Sequence, residues 1–398
     1  MNKKHAFKLS IESIWTIYFI MLYSLSGVFR FNHYVATLLL LGTTIFFRRN
    51  GLKISGRQVN ILHYYSVFAI WIICSFFWAT ESTNEQQTII LSVIEIVIML
   101  LCLLSYVDSL EKLERILRIF INCTLMAALI YYLVSPISTW GTTAMGTSVG
   151  IWRNAAGYYF AFCSIYSFYL HLNQGKKKQD LIKGFLLLIA AIGTGSRKVF
   201  VHFALAILLY VLLQKDVKRR FRVGASVGII AIILLAVGSN IPIFYQMYEG
   251  RLFSIFLSES SGDASTTTRA YMRLYALELF RQHPVIGAGV DGFRAWIAHN
   301  NAFLARYAIN ATYSHCNYTE LLANSGIVGF IMFYFFPIKE SIKNIRNFDD
   351  AFVKLGLITI IIFVTLDYGT ISYYMRFYAF ILAFGLLCFK YGESSNGR

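Results

Sequence analysis

Apolar stretches of membrane length follow one another along almost the whole chain, most of them closed by a short polar loop. A helix needs about 17–25 apolar residues to cross a bilayer. Twelve segments are candidates: Ser13–Phe29, Tyr34–Phe47, Ile61–Ala79, Thr88–Tyr106, Ile116–Val134, Ala155–Leu172, Gly184–Gly195, Val199–Leu213, Val223–Ser239, Tyr318–Pro337, Phe352–Tyr368 and Tyr374–Phe389. The second, seventh and eighth are short, so the count is good to one pair. The pattern predicts an all-α integral membrane protein of about 12 transmembrane helices, with no internal repeat between its halves.

One interruption breaks this ladder, between spans nine and ten. The chain therefore reads as spans 1–9 over residues 1–239, a large loop over 240–317 containing helices, and spans 10–12 over 318–398. Loops beyond about 12–15 residues are uncommon unless functional or disordered. This one is rich in Phe, Tyr, Leu and Ile, which argues against disorder. Within it, Thr266, Thr267 and Thr268 precede RAYMRLYALELFRQHP, and the pattern predicts a Thr-capped helix over Thr268–Gln282. Arg269 and Arg273, four apart, would share a face with Ala276 and Phe280. The Gly-rich VIGAGVDGF run follows a helix rather than a strand, so it is no dinucleotide loop.

Composition supports the membrane reading. Hydrophobic residues make up 57% of the 398 and charged residues 14%, against roughly 25% charged in soluble domains. The first apolar stretch is too long for the core of a cleavable signal peptide. Cytoplasmic loops are rich in Lys and Arg. With both termini inside, every inner loop carries a basic cluster, holding 25 of the 36 Lys and Arg residues. The net charge of +16 is then mostly topology and gives no reason to expect nucleic acid. Asn240–Asn317 falls on the extracytoplasmic side. Of the eleven remaining cations ten are Arg, whereas the inner set has 15 Lys to 10 Arg. Arg offers a planar fork that fits phosphate oxygens and keeps its charge when partly desolvated. Snorkelling to headgroups is the competing reading for any single one.

Candidate chemistry sits on that outer face. His315, in SHCNYTELLANSGIVG, opens span ten; an imidazole there can take a proton near neutral pH or simply bond to backbone. Arg197, in GTGSRK, is either an anion ligand at the junction of spans seven and eight or a snorkelling turn residue. Arg153 and Asn154 open span six, as an anion site or a plain cap. His202 reads as structural, and His283 as a helix-end cap before a catalyst. Glu95 lies mid-span, where a carboxylate is a functional candidate by default, yet no partner is visible. Glu320 and Asp367 are placed to orient His315 or an acceptor. Six scattered cysteines, only Cys316 of them outside, make neither a disulfide framework nor a metal spacing. There is no DxD, P-loop, GxSxG or HExxH, so neither a metal nor a nucleotide cofactor is expected.

Taken in order, Ser196-Arg197, Thr268-Arg269 with Arg273, His283-Pro284 with Gly287 and Gly289, and His315, Asn317, Tyr318, Glu320, Leu321, Leu322, Gly326, Ile327 and Gly329 resemble the O-antigen polymerase / O-antigen ligase superfamily. The motifs cover roughly Gly193 to Phe330, and Cys316 stands where that family often has Asn. The resemblance implies a glycosyltransferase of the bacterial inner membrane, active on its outer face. The donor would be an undecaprenyl-pyrophosphate-linked glycan and the acceptor a second such unit or a finished core. Arg197 and Arg269 would hold the pyrophosphate and His315 would activate the acceptor. Arg153, Arg273, Asn317, Tyr318, Glu320 and His283 would contribute to substrate binding. Membrane lipids, a chain-length regulator and a flippase are the candidate partners. The SH-x-NY-x-ELL form is more similar to the polymerases than to the ligases. A lipid-linked oligosaccharide flippase remains as the non-enzymatic alternative.

Overall fold

The computed structural model describes residues 10–23, 32–47, 54–140, 142, 144–147, 150–218, 220–221 and 264–393. Every regular element among them is helical. They are α1 (Ile11–Tyr23), α2 (Asn32–Phe47), α3 (Gly56–Cys74), α4 (Asn84–Tyr106), α5 (Leu110–Val134), α6 (Arg153–Asn173), α7 (Lys178–Gly193), α8 (Lys198–Leu212), α9 (Ala264–Gln282), α10 (Gly292–Ala298), α11 (Asn301–Tyr307), α12 (Asn317–Asn344), α13 (Ala351–Leu366) and α14 (Arg376–Glu393). Helices occupy eleven of the twelve predicted segments, wholly or in part; Val223–Ser239 lies outside the described residues. Four helical stretches among the described residues are long and apolar enough to cross a membrane: Gly56–Trp78, Asn84–Tyr106, Leu110–Val134 and Asn317–Asn347. Ile11–Leu22, His33–Phe47, Lys198–Leu212 and Ala351–Leu366 are shorter apolar helices.

Local chemistry sets the helix starts. Ser109 caps α5, its hydroxyl accepting from the Lys112 amide at 3.3 Å. Asp350 caps α13, one carboxylate oxygen accepting from Phe352 and Val353 at 2.8 and 3.0 Å. Each bond satisfies an amide that the first turn leaves without an intrahelical partner. Elsewhere the helices carry apolar side chains outward as well as inward, as Leu38 and Phe46 on α2 and Leu133 on α5 show. In water such a surface would drive aggregation; in lipid it is the solvated face.

The described residues divide into two compact units, 1–54 with 101–204 and 55–100 with 205–398. In the first, α6 lies along α7, and α5 packs on α1, α6 and α7. Arg118 of α5 joins Glu114 at 2.8 Å and Asp180 of α7 at 2.7 Å. In the second, α12 is the central element, with α3, α9, α10, α13 and α14 packed on it. The Tyr64 hydroxyl donates to the Phe333 carbonyl at 2.6 Å, and the Trp71 indole to the Ser325 carbonyl at 3.2 Å. The described part of the predicted loop shares this unit's core. Met272, Ala276 and Leu279 of α9 cluster with Phe293 and Ile297 of α10, Phe303 of α11 and Ala323 of α12.

One detail differs from the sequence reading and another adds to it. Helix α9 begins at Ala264, not Thr268, so the three threonines form its first turns instead of capping it. Beyond the VIGAGVD turn the predicted loop holds two further helices of seven residues each. Helices that short carry no clear period, which is why the pattern of apolar positions did not mark them.

Candidate active site

Helix α12 is broken at Gly326, whose backbone (φ 65°, ψ −171°) leaves helical space. An unbroken helix would bond Ile327 and Val328 amides to the carbonyls of Ala323 and Asn324. Here those amides go to the carbonyls of Pro284 and Val285, at 2.9 and 3.2 Å. The carbonyls left over accept from the amides of Ala288 and Gly289, both at 2.9 Å. The HPVIGAG turn thus replaces the missing helical bonds two for two. Gly287 is also left-handed, at φ 73°, and a Cβ there would strike the backbone of Asn324.

Glu320 and Asn324, one turn apart on α12, extend this seam. One Glu320 oxygen accepts from the Asn324 amide group at 3.0 Å and the other from the Ser314 backbone amide at 2.6 Å. The Asn324 oxygen accepts from the Phe293 amide at 2.8 Å, at the start of α10. Glu320 is fully enclosed.

Asn317 is a second anchor, also fully enclosed. Its backbone amide donates to the Asp367 carbonyl at 2.8 Å. Its side-chain amide donates to the Tyr334 hydroxyl at 2.8 Å and to the Asp367 carboxylate at 3.2 Å. Its side-chain oxygen accepts from the amides of Ser372 and Tyr373 at 2.9 and 3.3 Å. The Tyr334 hydroxyl also donates to Asp367, at 2.6 Å. The start of α12 is thereby fixed to the connection between α13 and α14.

His315 lies between these anchors, with Ser314 tied to Glu320 on one side and Asn317 tied to Asp367 on the other. It is half-buried and takes a left-handed backbone, φ 61°. For a residue with a Cβ that conformation costs about 1–3 kcal/mol and persists where the surroundings enforce it. The Tyr313 ring packs on the imidazole, centroids 4.4 Å apart. Burial pushes the Tyr313 hydroxyl above its usual value, and the charges of Arg269 and Arg294 pull it back. Arg269 of α9 is therefore in electrostatic reach of the residue that packs on His315. Arg273, one turn on, lies over the Tyr368 ring at 4.9 Å.

In the first unit the structure joins Arg197 and Arg153 to one local arrangement. The Thr194–Arg197 turn between α7 and α8 has Gly195 at φ 68°, with Thr194 and Ser196 buried. It packs on α6 at Gly157, where a Cβ would meet the Thr194 hydroxyl at 2.9 Å and the Ser196 Cβ at 3.1 Å. Arg153 is the first residue of α6, one turn before Gly157. His202 is fully buried, its Nδ1 3.0 Å from the Lys198 carbonyl and its ring against Tyr158 and Phe162.

The other predicted residues fall as follows. His283 closes α9, its amide bonded to the carbonyls of Leu279 and Phe280 and its carbonyl to the Gly287 amide. The Tyr318 hydroxyl donates to the Val364 carbonyl. Glu95 does have a partner: Arg376, at the start of α14, forms an ion pair with it and reaches the Ser92 hydroxyl at 3.4 Å. The sequence could not reveal this pair, because 281 residues separate its members. The reading also gave no role to Tyr313, Asn324 or Asp291. Asn324 did carry a signal, lying four residues after Glu320, where helical side chains meet.

The class defined here is a helical membrane protein in which a glycine-rich turn docks by main-chain bonds into a broken helix, beside a strained histidine and arginines. Residues 184–334 match the family described as O-antigen ligase, a match that supports the O-antigen ligase/polymerase superfamily. This range takes in Arg197, Arg269, the HPVIGAG turn, His315 and the break at Gly326. No curated protein matches the chain.

Proposed function

We propose that the protein polymerises polyprenyl-pyrophosphate-linked oligosaccharide repeat units at the outer face of the bacterial cytoplasmic membrane. The observation that carries this reading is His315, held left-handed between two buried anchors, packed on the Tyr313 ring on which the Arg269 charge acts, and inside the matched domain. An acceptor hydroxyl attacks the anomeric carbon of the donor. The new glycosidic bond forms as the bond to pyrophosphate breaks, with inversion, and His315 takes the hydroxyl proton. Polyprenyl pyrophosphate leaves with the electron pair. Arg269 and Arg197 stabilise its growing charge, each contact contributing on the order of 2–4 kcal/mol to the barrier. Arg273 and Arg153 assist in donor binding. Asn317 and Glu320 act by positioning, since their polar atoms already serve the anchors. In this reading the chain has about twelve spans with both termini in the cytoplasm, and the chemistry lies on the outer face.

A second reading, the activity named in the matched family's description, is transfer of the lipid-linked glycan to a lipid A core or another finished acceptor. Both readings use the same donor and differ in acceptor. The experiment is purified protein with a lipid-pyrophosphate-linked repeat unit, no nucleotide sugar and a chelator. Polymerase activity is oligomer formation with release of polyprenyl pyrophosphate. Product only on addition of a core acceptor selects the ligase. Translocation of the lipid-linked glycan across vesicles with no new glycosidic bond replaces both with a flippase.

A further inference from the structure

Asp291 is the last residue of the HPVIGAGVD turn. It is buried and takes a left-handed backbone, φ 56°. Its carboxylate accepts from the Thr83 hydroxyl at 2.7 Å and holds Nε of Arg294 at 3.0–3.2 Å. Thr83 belongs to the short connection before α4, and Gln86, in the first turn of α4, donates to the Val290 carbonyl at 3.0 Å. The connection before α4 and the turn before α10 therefore steady one carboxylate, and that carboxylate steadies one arginine by its Nε.

This leaves the other end of Arg294 uncommitted. Among the described residues its Nη1 and Nη2 make no hydrogen bond, and its side chain keeps 22% of its exposure. Its terminal donors are therefore open to a ligand arriving from outside and are not needed to brace the fold. Its charge and that of Arg269 both act on the Tyr313 hydroxyl, next to His315. An arginine fixed at Nε presents its two terminal nitrogens as a ready fork for a phosphoryl group.

We propose that Arg294 is a further oxyanion-contacting arginine, offering its Nη fork beside Arg269 and Tyr313 to the diphosphate of the lipid-linked donor. This rests on the glycosyl-transfer reading above. Thr83 and Asp291 are its positioning residues.

The test is binding to the purified full chain in detergent, read by intrinsic fluorescence, with undecaprenyl pyrophosphate, undecaprenol and phosphatidylglycerol as separate probes. Arg294→Gln is expected to weaken undecaprenyl pyrophosphate binding ~10–100-fold, the range for a lost charge-assisted bond, and to leave undecaprenol binding unchanged. Arg294→Lys should not restore binding, and in turnover assays the loss should fall mainly on KM. Thr83→Val keeps the arginine but loosens Asp291 and should show a smaller loss; it carries the test if Arg294→Gln fails to fold. Unchanged undecaprenyl pyrophosphate affinity in a folded Arg294→Gln protein, or in Thr83→Val where that protein does not fold, overturns the inference. Equal dependence on Arg294 for phosphatidylglycerol also overturns it, by assigning the fork to lipid headgroups. If the unaltered protein binds the pyrophosphate lipid no better than undecaprenol, the donor reading itself fails, which is a distinguishable result.

Discussion

Gly287 and Gly326 meet backbone to backbone: a Cβ on Gly326 would lie 2.6 Å from the Gly287 nitrogen. Both residues are left-handed, so each needs glycine for its conformation and again for the space. Gly326→Ala and Gly287→Ala are expected to undo the four main-chain bonds between turn and helix, lowering Tm by several degrees and abolishing product. Gly56→Ala, which faces open space, serves as the control and should stay within ~0.5 kcal/mol of the parent. Thermal unfolding with turnover on the same preparations checks this; a normal Gly326→Ala protein would remove the seam from the account.

For His315 the expected outcome separates chemistry from folding. Asn tolerates left-handed backbone better than most residues. His315→Asn should therefore keep Tm and donor binding while the rate falls ~10²–10⁴-fold, the usual loss for a general base. A variant retaining a tenth of the parent rate would assign His315 a local structural role.

Asn317 should behave in the opposite way. Asn317→Leu leaves the Ser372 and Tyr373 amides and the Asp367 carboxylate without their buried partner, at about 1–3 kcal/mol each. Expression and Tm are expected to fall along with activity. Loss of turnover at unchanged Tm would instead mean that Asn317 meets substrate directly.

The Glu95–Arg376 pair predicts a double-mutant cycle. Removing one member strands a charge and costs about 3–5 kcal/mol, whereas an apolar replacement of both is closer to neutral. Glu95→Leu with Arg376→Met should be more stable than either single variant. Additive losses in thermal unfolding would show that the two are not coupled.

A fifth expectation concerns pH. Burial pushes the Asp291 carboxyl above its usual value, with Arg294 and Thr83 opposing the rise. A carboxyl raised in the folded state contributes stability that is complete below its unfolded pKa, about 3.9, and is lost as pH climbs through the folded pKa. The Tm of the parent relative to Asp291→Asn should therefore improve as pH falls from 7 toward 4. The opposite slope would mean that Arg294 outweighs burial.

The helices were legible in the sequence because lipid imposes a coarse rule: runs of apolar residues about 20 long read the same wherever they occur. The helix that carries Arg269 and Arg273, and the position of His315 just before α12, were legible from the pattern of apolar and polar residues. What stayed hidden is tertiary. Glu95 and Arg376 meet across 281 positions, and no local pattern foretells that. Asn317 and Glu320, read as substrate contacts, have their side chains turned inward onto backbone amides, and polar identity alone does not tell these two uses apart. Arg294 was one of ten arginines read as outer until Asp291 gave its Nε a fixed direction.

The seam between turn and broken helix is written in main-chain atoms, and that has an evolutionary consequence. Bonds made by Pro284, Val285, Ala288 and Gly289 through their backbones depend on shape and are indifferent to most side chains. Val285 and Ile286 stand exposed on the turn and can be exchanged without loosening it. Such positions can change in sequence while the main-chain seam beneath them keeps its register.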